Sequence, residues 1–171
     1  MNLSGFDLKS PSPEAVDRLF IEPLQAAEHL RGRVHSMLDI GSGGGSPAIP
    51  MMLTLMPTSV VLVEAKARKC TFLRQVIAEL GLTRVAEVVT DRFEPYAVRT
   101  TATFSVVTVR AVRLEAEQLR LAGGLLSSDG LICWFRSAGS LEPQLPEELQ
   151  VERTIELKGL KSSTLTLLTR A

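Results

Sequence analysis

Three glycines at alternate positions, Gly41, Gly43 and Gly45, stand in the run Leu38-Asp39-Ile40-Gly41-Ser42-Gly43-Gly44-Gly45-Ser46-Pro47. The run follows an apolar, strand-like stretch and leads into a helical one, the setting in which a glycine-rich loop becomes a ligand site. Glycine admits positive φ in a tight turn and removes the side chain that would hold a ligand off the backbone. Dinucleotide sites want a glycine where Ser46 stands, so that the helix packs closely beneath a pyrophosphate. Here the glycines fall at 41, 43 and 45 instead, and Ser46 as N-cap with Pro47 as first helical residue can simply start the helix. Glu64 falls 19 residues after Gly45, close to the ~20-residue offset at which a carboxylate meets ribose hydroxyls.

Two further segments could touch such a ligand. Asp91-Arg92-Phe93-Glu94 closes the third strand, where Phe93 could offer a ligand ring an apolar face and Glu94 or a backbone group could meet its polar edge. A plain strand-to-loop transition explains the segment almost as well. Arg110 ends the fourth strand, in Val109-Arg110-Ala111, and could hold a carboxylate or phosphate by a bidentate pair. Its alternative is a structural salt bridge. Residues 60–113 carry nine basic groups against five acidic ones, and Lys66, Arg68 and Lys69 cluster among them. Such a patch either faces a polyanion or is a solvated helix face.

The elements that must position these residues alternate from residue 34 onward. Strands are expected at 34–40, 59–64, 85–90, 104–109 and 131–135, with helices at 47–56, 66–80 and 114–121. Continuous apolar strands between amphipathic helices imply a parallel sheet covered on both faces. The tail differs, because 151–157 and 163–170 are too close for a crossover helix and suit an antiparallel hairpin. Ahead of the core, Ser12-Pro13 starts a helix whose apolar stripe runs from Val16 to Leu30; Pro23 is expected to kink it and Gly32 to end it. The chain reads as one domain over 1–171, with a helical segment over 1–33 and an α/β core over 34–171.

The 171 residues are 45% apolar and 22% charged, the mix of a folded globular chain. Nineteen basic groups balance nineteen acidic ones, so any nucleic-acid contact must be local. Cys70 and Cys133 read as reduced core residues, which fits a reducing compartment, and a cytoplasmic location is expected. The start MNLSGFDLKS lacks the pattern of a signal peptide, and no apolar run is long enough to span a membrane. His29 and His35 have no partners at metal-ligand spacing, so no metal is expected and both read as structural. No Asn-Pro-Pro-Tyr type motif follows the fourth strand and no Pro-Cys offers a thiolate, which disfavours methylation of exocyclic amines and of pyrimidine C5.

The alternate glycines after Asp39 look like the first motif of Rossmann-like methyltransferases. LDIGSGGGSPAIP, LVEAKARKCTFLRQVIAELGL, the DRFEP segment and the VRAV segment, in that order, resemble the RsmG or GidB family, whose members methylate N7 of a guanine in small-subunit ribosomal RNA. The stretch Arg18-Leu19-Phe20-Ile21-Glu22-Pro23-Leu24 is similar to the family's Arg-His-x-x-Asp-Ser-Leu. The resemblance covers roughly residues 18–136 and implies a class I methyltransferase fold and S-adenosyl-L-methionine as cofactor. It places cofactor contacts on Gly41, Ser46, Phe93, Glu94 and Arg110, beside the Gly43, Gly45 and Glu64 read from spacing. It sets Lys66, Arg68 and Lys69 on an RNA-facing edge, with ribosomal RNA or the small subunit as partner and the protein a monomer. The chain departs from the family at Ser46, Ala48, Leu19 and Arg136-Ser137, where the family has a bulky apolar residue, glycine, histidine and Lys-Gly. The rival readings are the same fold acting on a small molecule or protein, and a binding module without chemistry.

Overall fold

The computed structural model describes residues 11–137, 139–140, 144–160 and 162–171; the N-terminal decapeptide read above for a signal sequence lies outside them. Seven strands form one sheet in the order β3-β2-β1-β4-β5-β7-β6. They are β1 (Ser36–Ile40), β2 (Ser59–Glu64), β3 (Ala86–Thr90), β4 (Phe104–Arg110), β5 (Leu126–Ser137), β6 (Leu149–Leu157) and β7 (Ser163–Arg170). β1 to β5 run parallel, while β7 lies antiparallel between β5 and β6. This is the expected parallel sheet with a C-terminal hairpin, and β2 and β7 keep their expected bounds.

Alternation along each parallel strand feeds two cores. Met37, Val60, Leu62 and Val106 face one side, packed with Ala26, Met51, Leu73 and Ile77 of the helices α2 (Glu22–Glu28), α3 (Ala48–Leu55) and α4 (Ala67–Glu79). Leu38, Ile40, Val107 and Val109 face the other, against Phe93, Tyr96, Leu119 and Ala122 of α5 (Phe93–Arg99) and α6 (Ala116–Gly124). Fully burying a Val, Leu, Ile, Met or Phe side chain contributes about 1.5–3 kcal/mol.

Four local expectations need correction. Helix α5 lay in a segment read as strand end and loop; Pro95 there occupies the first helical turn, where a backbone N–H has no helical acceptor to lose. β5 begins at Leu126 rather than 131, through Ser127, Ser128 and Asp129, whose polarity masks strand pairing in the sequence. No single α-helix runs from Val16 to Leu30 for Pro23 to kink. Instead α1 (Pro13–Val16), capped by the Ser12 hydroxyl, passes into a π-helical turn (Asp17–Ile21) that hands the chain to α2 with Pro23 in its first turn. Ser46 is not an N-cap: Pro47 takes that position, and the Ser46 hydroxyl donates to the Leu19 carbonyl at 2.9 Å. Leu19 is four residues before Pro23, whose ring nitrogen cannot donate to it, so Ser46 satisfies a carbonyl that the proline leaves open.

Candidate functional site

β1 and β4 are neighbours whose crossovers leave toward opposite edges of the sheet, so a crevice opens at their carboxyl ends, where such sheets bind ligands. The glycine turn leaves β1 into this crevice with Gly41, Gly43 and Gly45 all at positive φ (69°, 57° and 94°). Their reasons for being glycine differ. A Cβ on Gly41 would lie 2.6 Å from Val112 Cγ2, and one on Gly45 would overlap the Ile49 side chain, so both are needed for the protein's own packing. At Gly43 the nearest atoms would be the Gly41 carbonyl at 3.6 Å and Lys69 Nζ at 3.7 Å, so this residue has room for a ligand against its backbone.

Glu64 ends β2 beside that turn. One carboxylate oxygen accepts the Gly43 N–H at 2.9 Å, the other accepts the Lys66 N–H at 2.8 Å, and Lys69 Nζ stands 3.9 Å away. Each oxygen keeps a further lone pair, enough for two hydroxyl donors. Asp39 lies beneath the turn, fully buried. The Thr108 hydroxyl donates to its Oδ1 at 2.6 Å, while Oδ2 has no partner. Burial pushes its pKa up to about 6, against the hydrogen bond from Thr108, which favours the carboxylate.

Three cavities meet here. One, of about 370 Å³, is lined by residues 41–46, Glu64, Lys69, Arg110 and Val112, and extends along Leu19, Phe20 and Phe72. A second, of about 190 Å³, continues past Glu64 to Asp91, Phe93, Glu94 and Gln118. A third, of about 670 Å³, lies beyond residues 110–112 against Trp134, Phe135 and Arg136. Ala111 separates the first from the third and holds φ at 55°, a conformation that costs an L-residue about 1–2 kcal/mol.

The sequence-derived site residues are brought together in part. Phe93 lines the smaller cavity but is mostly buried in the core, and Glu94 accepts a hydrogen bond from Gln118 at 3.1 Å. Arg110 is almost wholly buried and ion-paired with Glu22, with Ser46 Oγ at 3.4 Å and its guanidinium 5.1 Å from the Phe135 ring centre. Of the two roles read for it, the salt bridge is the one present, while its position between two cavities leaves it within the site. Burial lowers its pKa, and the Glu22 carboxylate opposes that shift. Lys66 and Arg68 are exposed, whereas Lys69 turns inward to Glu64 and belongs with the cleft, apart from the outer edge. Glu22 and Thr108 were overlooked, though each is a polar residue in an otherwise apolar pattern, the signal that marks a buried polar contact. Cys70 and Cys133 are buried free thiols, as expected. His29 and His35 are exposed, and among the described residues no group of three His, Cys, Asp or Glu could hold a metal ion. No helix of the described residues is long and apolar enough to cross a membrane.

The GidB family, described as rRNA small subunit methyltransferase G, matches residues 2–168. The ribosomal RNA small subunit methyltransferase G of Laribacter hongkongensis is 38% identical over 149 residues, which is 86% of this chain and 67% of that protein. The chain spans half to two thirds of the length of the curated relatives it matches first. Among solved structures, yhhF of Escherichia coli superposes with a TM-score of 0.74 at 19% identity, over 94% of this chain and 91% of that one. An O-methyltransferase of neocarzinostatin biosynthesis, in complex with S-adenosylmethionine, gives 0.65 at 12% identity, over 87% and 56%. These likenesses show the fold, that of class I methyltransferases.

Proposed function

The chain belongs to the GidB family of rRNA small subunit methyltransferases G, and from that membership we propose that it transfers a methyl group from S-adenosyl-L-methionine to N7 of a guanine in small-subunit ribosomal RNA. The observation that carries the reading is the Gly43–Glu64 pair: an open left-handed glycine whose N–H is fixed by a buried carboxylate with lone pairs to spare. A nucleoside with two ribose hydroxyls fits that carboxylate, and a positively charged group fits the crevice above Asp39, whose Oδ2 is buried without a partner. When bound, the cofactor supplies an electrophilic methyl on a sulfonium.

The chain's own residues orient and exclude water. Gly41, Gly43, Gly45 and Ser46 form the wall, Glu64 takes the ribose, and Phe93 and Glu94 flank the adenine. Arg110, held by Glu22, stands between cofactor and acceptor. Guanine N7 brings its own lone pair, so placement in line with the methyl is the catalytic requirement and no general base is needed. Helices α1 and α2 form one domain with the α/β core, acting as a monomer in the cytoplasm on the ribosomal subunit, with Lys66 and Arg68 toward RNA. No residue is assigned as a proton carrier.

The test uses labelled S-adenosylmethionine with small ribosomal subunits from a strain lacking the endogenous activity, followed by mapping of the label. Label at a guanine N7 is the expected result. Binding of S-adenosylhomocysteine without label in RNA favours the small-molecule or protein reading, and no thermal stabilisation by either ligand favours a module without chemistry.

A further inference from the structure

We infer that the third cavity is the acceptor-base pocket and that Trp134, with Arg136 against its ring, is the platform on which a purine flipped out of the RNA stacks. The inference rests on the RNA methyltransferase reading and deepens it by naming the side chain that receives the base. Trp134 lies on β5 next to Val109 of β4, so its backbone is one strand from the Arg110-Ala111 junction that divides this cavity from the cofactor cleft. The ring is half-buried, lines the cavity, and among the described residues its indole N–H has no hydrogen-bond acceptor. The Arg136 guanidinium stands 5.5 Å from the ring centre, and Arg136 Nη2 donates to the Ser140 carbonyl at 3.2 Å.

The chemistry suits a nucleotide. At about 670 Å³ the cavity is of the size that encloses small ligands. Among the described residues Arg18, Arg110, Arg113 and Arg136 line it, with Glu22 on Arg110 and Glu115 beside Arg113. Unpaired RNA bases are held by stacking on aromatic rings and on guanidinium planes, and an Arg–Trp pair presents both. Enzymes that modify a base act on single-stranded substrate or flip the nucleotide out of its stack, and the platform offers replacement stacking at the place where the base would arrive. A planar guanidinium such as that of Arg136 can lie on the indole in a way that an ammonium cannot.

Trp134 is the single tryptophan of the chain, so its emission reports on this cavity alone. Guanosine 5′-monophosphate titrated into the protein saturated with S-adenosylhomocysteine should quench that emission saturably. In the methylation assay with small subunits, Trp134→Leu keeps apolar volume but loses the ring, and should raise KM for the subunit about tenfold or more. Trp134→Phe should recover most of the loss, and both variants should keep wild-type affinity for S-adenosylhomocysteine. Emission indifferent to the nucleotide, or a Trp134→Leu enzyme with unchanged KM, overturns the platform. If the wild type labels no RNA, the parent reading fails, and the quench alone decides whether the cavity still takes a purine nucleotide.

Discussion

Desolvation and a single hydroxyl partner set the behaviour of Asp39. The folded chain binds the Asp39 proton more tightly than the unfolded chain, with a pKa near 6 against an ordinary 3.8. Between these values the folded state holds the extra proton, so stability falls as pH rises through the window. Above it the cost of the half-satisfied carboxylate is fully present, roughly 3 kcal/mol. Asp39→Asn keeps an acceptor for Thr108 without the charge. Urea unfolding of both proteins should show the variant gaining on the wild type from pH 4 to about 6.5, then level; a difference that does not vary with pH would mean Oδ2 is solvated. Glu22 presents the opposite case, a buried carboxylate paired with a buried cation. Glu22→Ala strands the Arg110 charge and should cost about 3–5 kcal/mol, while Glu22→Leu with Arg110→Met should recover most of that. Equal losses from the single and double variants would show that the pair itself, and not the stranded charge, holds the fold.

The segment from α1 to α2 is fastened to distant parts of the sequence by the Ser46 side chain and by its own Gln25 and Asp17. Ser46 takes the carbonyl that Pro23 leaves open, Gln25 exchanges hydrogen bonds with the backbone of Lys158 (2.6 and 2.8 Å), and Asp17 accepts the Leu160 N–H at 2.5 Å. The segment thus joins the glycine turn to the β6–β7 connection. Loss of the Ser46 hydroxyl should cost about 1–3 kcal/mol by leaving the Leu19 carbonyl unpaired. Hydrogen exchange locates the effect: in Ser46→Ala the amides of 15–28 should exchange faster while those of α3 hold. Faster exchange confined to the start of α3 would restore the N-cap expected from the sequence. That expectation shows where local reading stops. The glycine turn, Glu64 and the strands were legible because each follows from periodicity or spacing within one segment. Ser46 and Glu22 were not, because their partners lie 27 and 88 residues away, and α5 was missed because Pro95 reads as a breaker unless its place in the first turn is known.

At the scale of the whole molecule, zero net charge conceals an uneven distribution. Of the nine basic groups in 60–113, Arg99 pairs with Asp91, Arg110 with Glu22, Lys69 with Glu64 and Arg113 with Glu115, and Arg74 is spent on Val88 and Thr90. Lys66, Arg68, Arg84 and Arg92 stand exposed. Arg84 precedes β3 and lies at the far end of the sheet. Lys66 and Arg92 are the N-cap positions of α4 and α5, at the carboxyl ends of β2 and β3, with Arg68 in the first turn of α4. Lys66, Arg68 and Arg92 therefore share the edge onto which the cavities open, and an RNA lying along it meets them while its base enters the pocket. Each phosphate contact contributes about 0.7–0.9 to the slope of log affinity against log salt. Lys66→Ala with Arg68→Ala should weaken binding to the small subunit and flatten that slope by about 1–2, measured by filter binding from 50 to about 300 mM salt. Lys69→Ala should leave the slope in place and weaken S-adenosylhomocysteine, because its ammonium faces Glu64. A slope that responds to Lys69 and not to the other two would put the RNA across the glycine turn instead of along the strand ends.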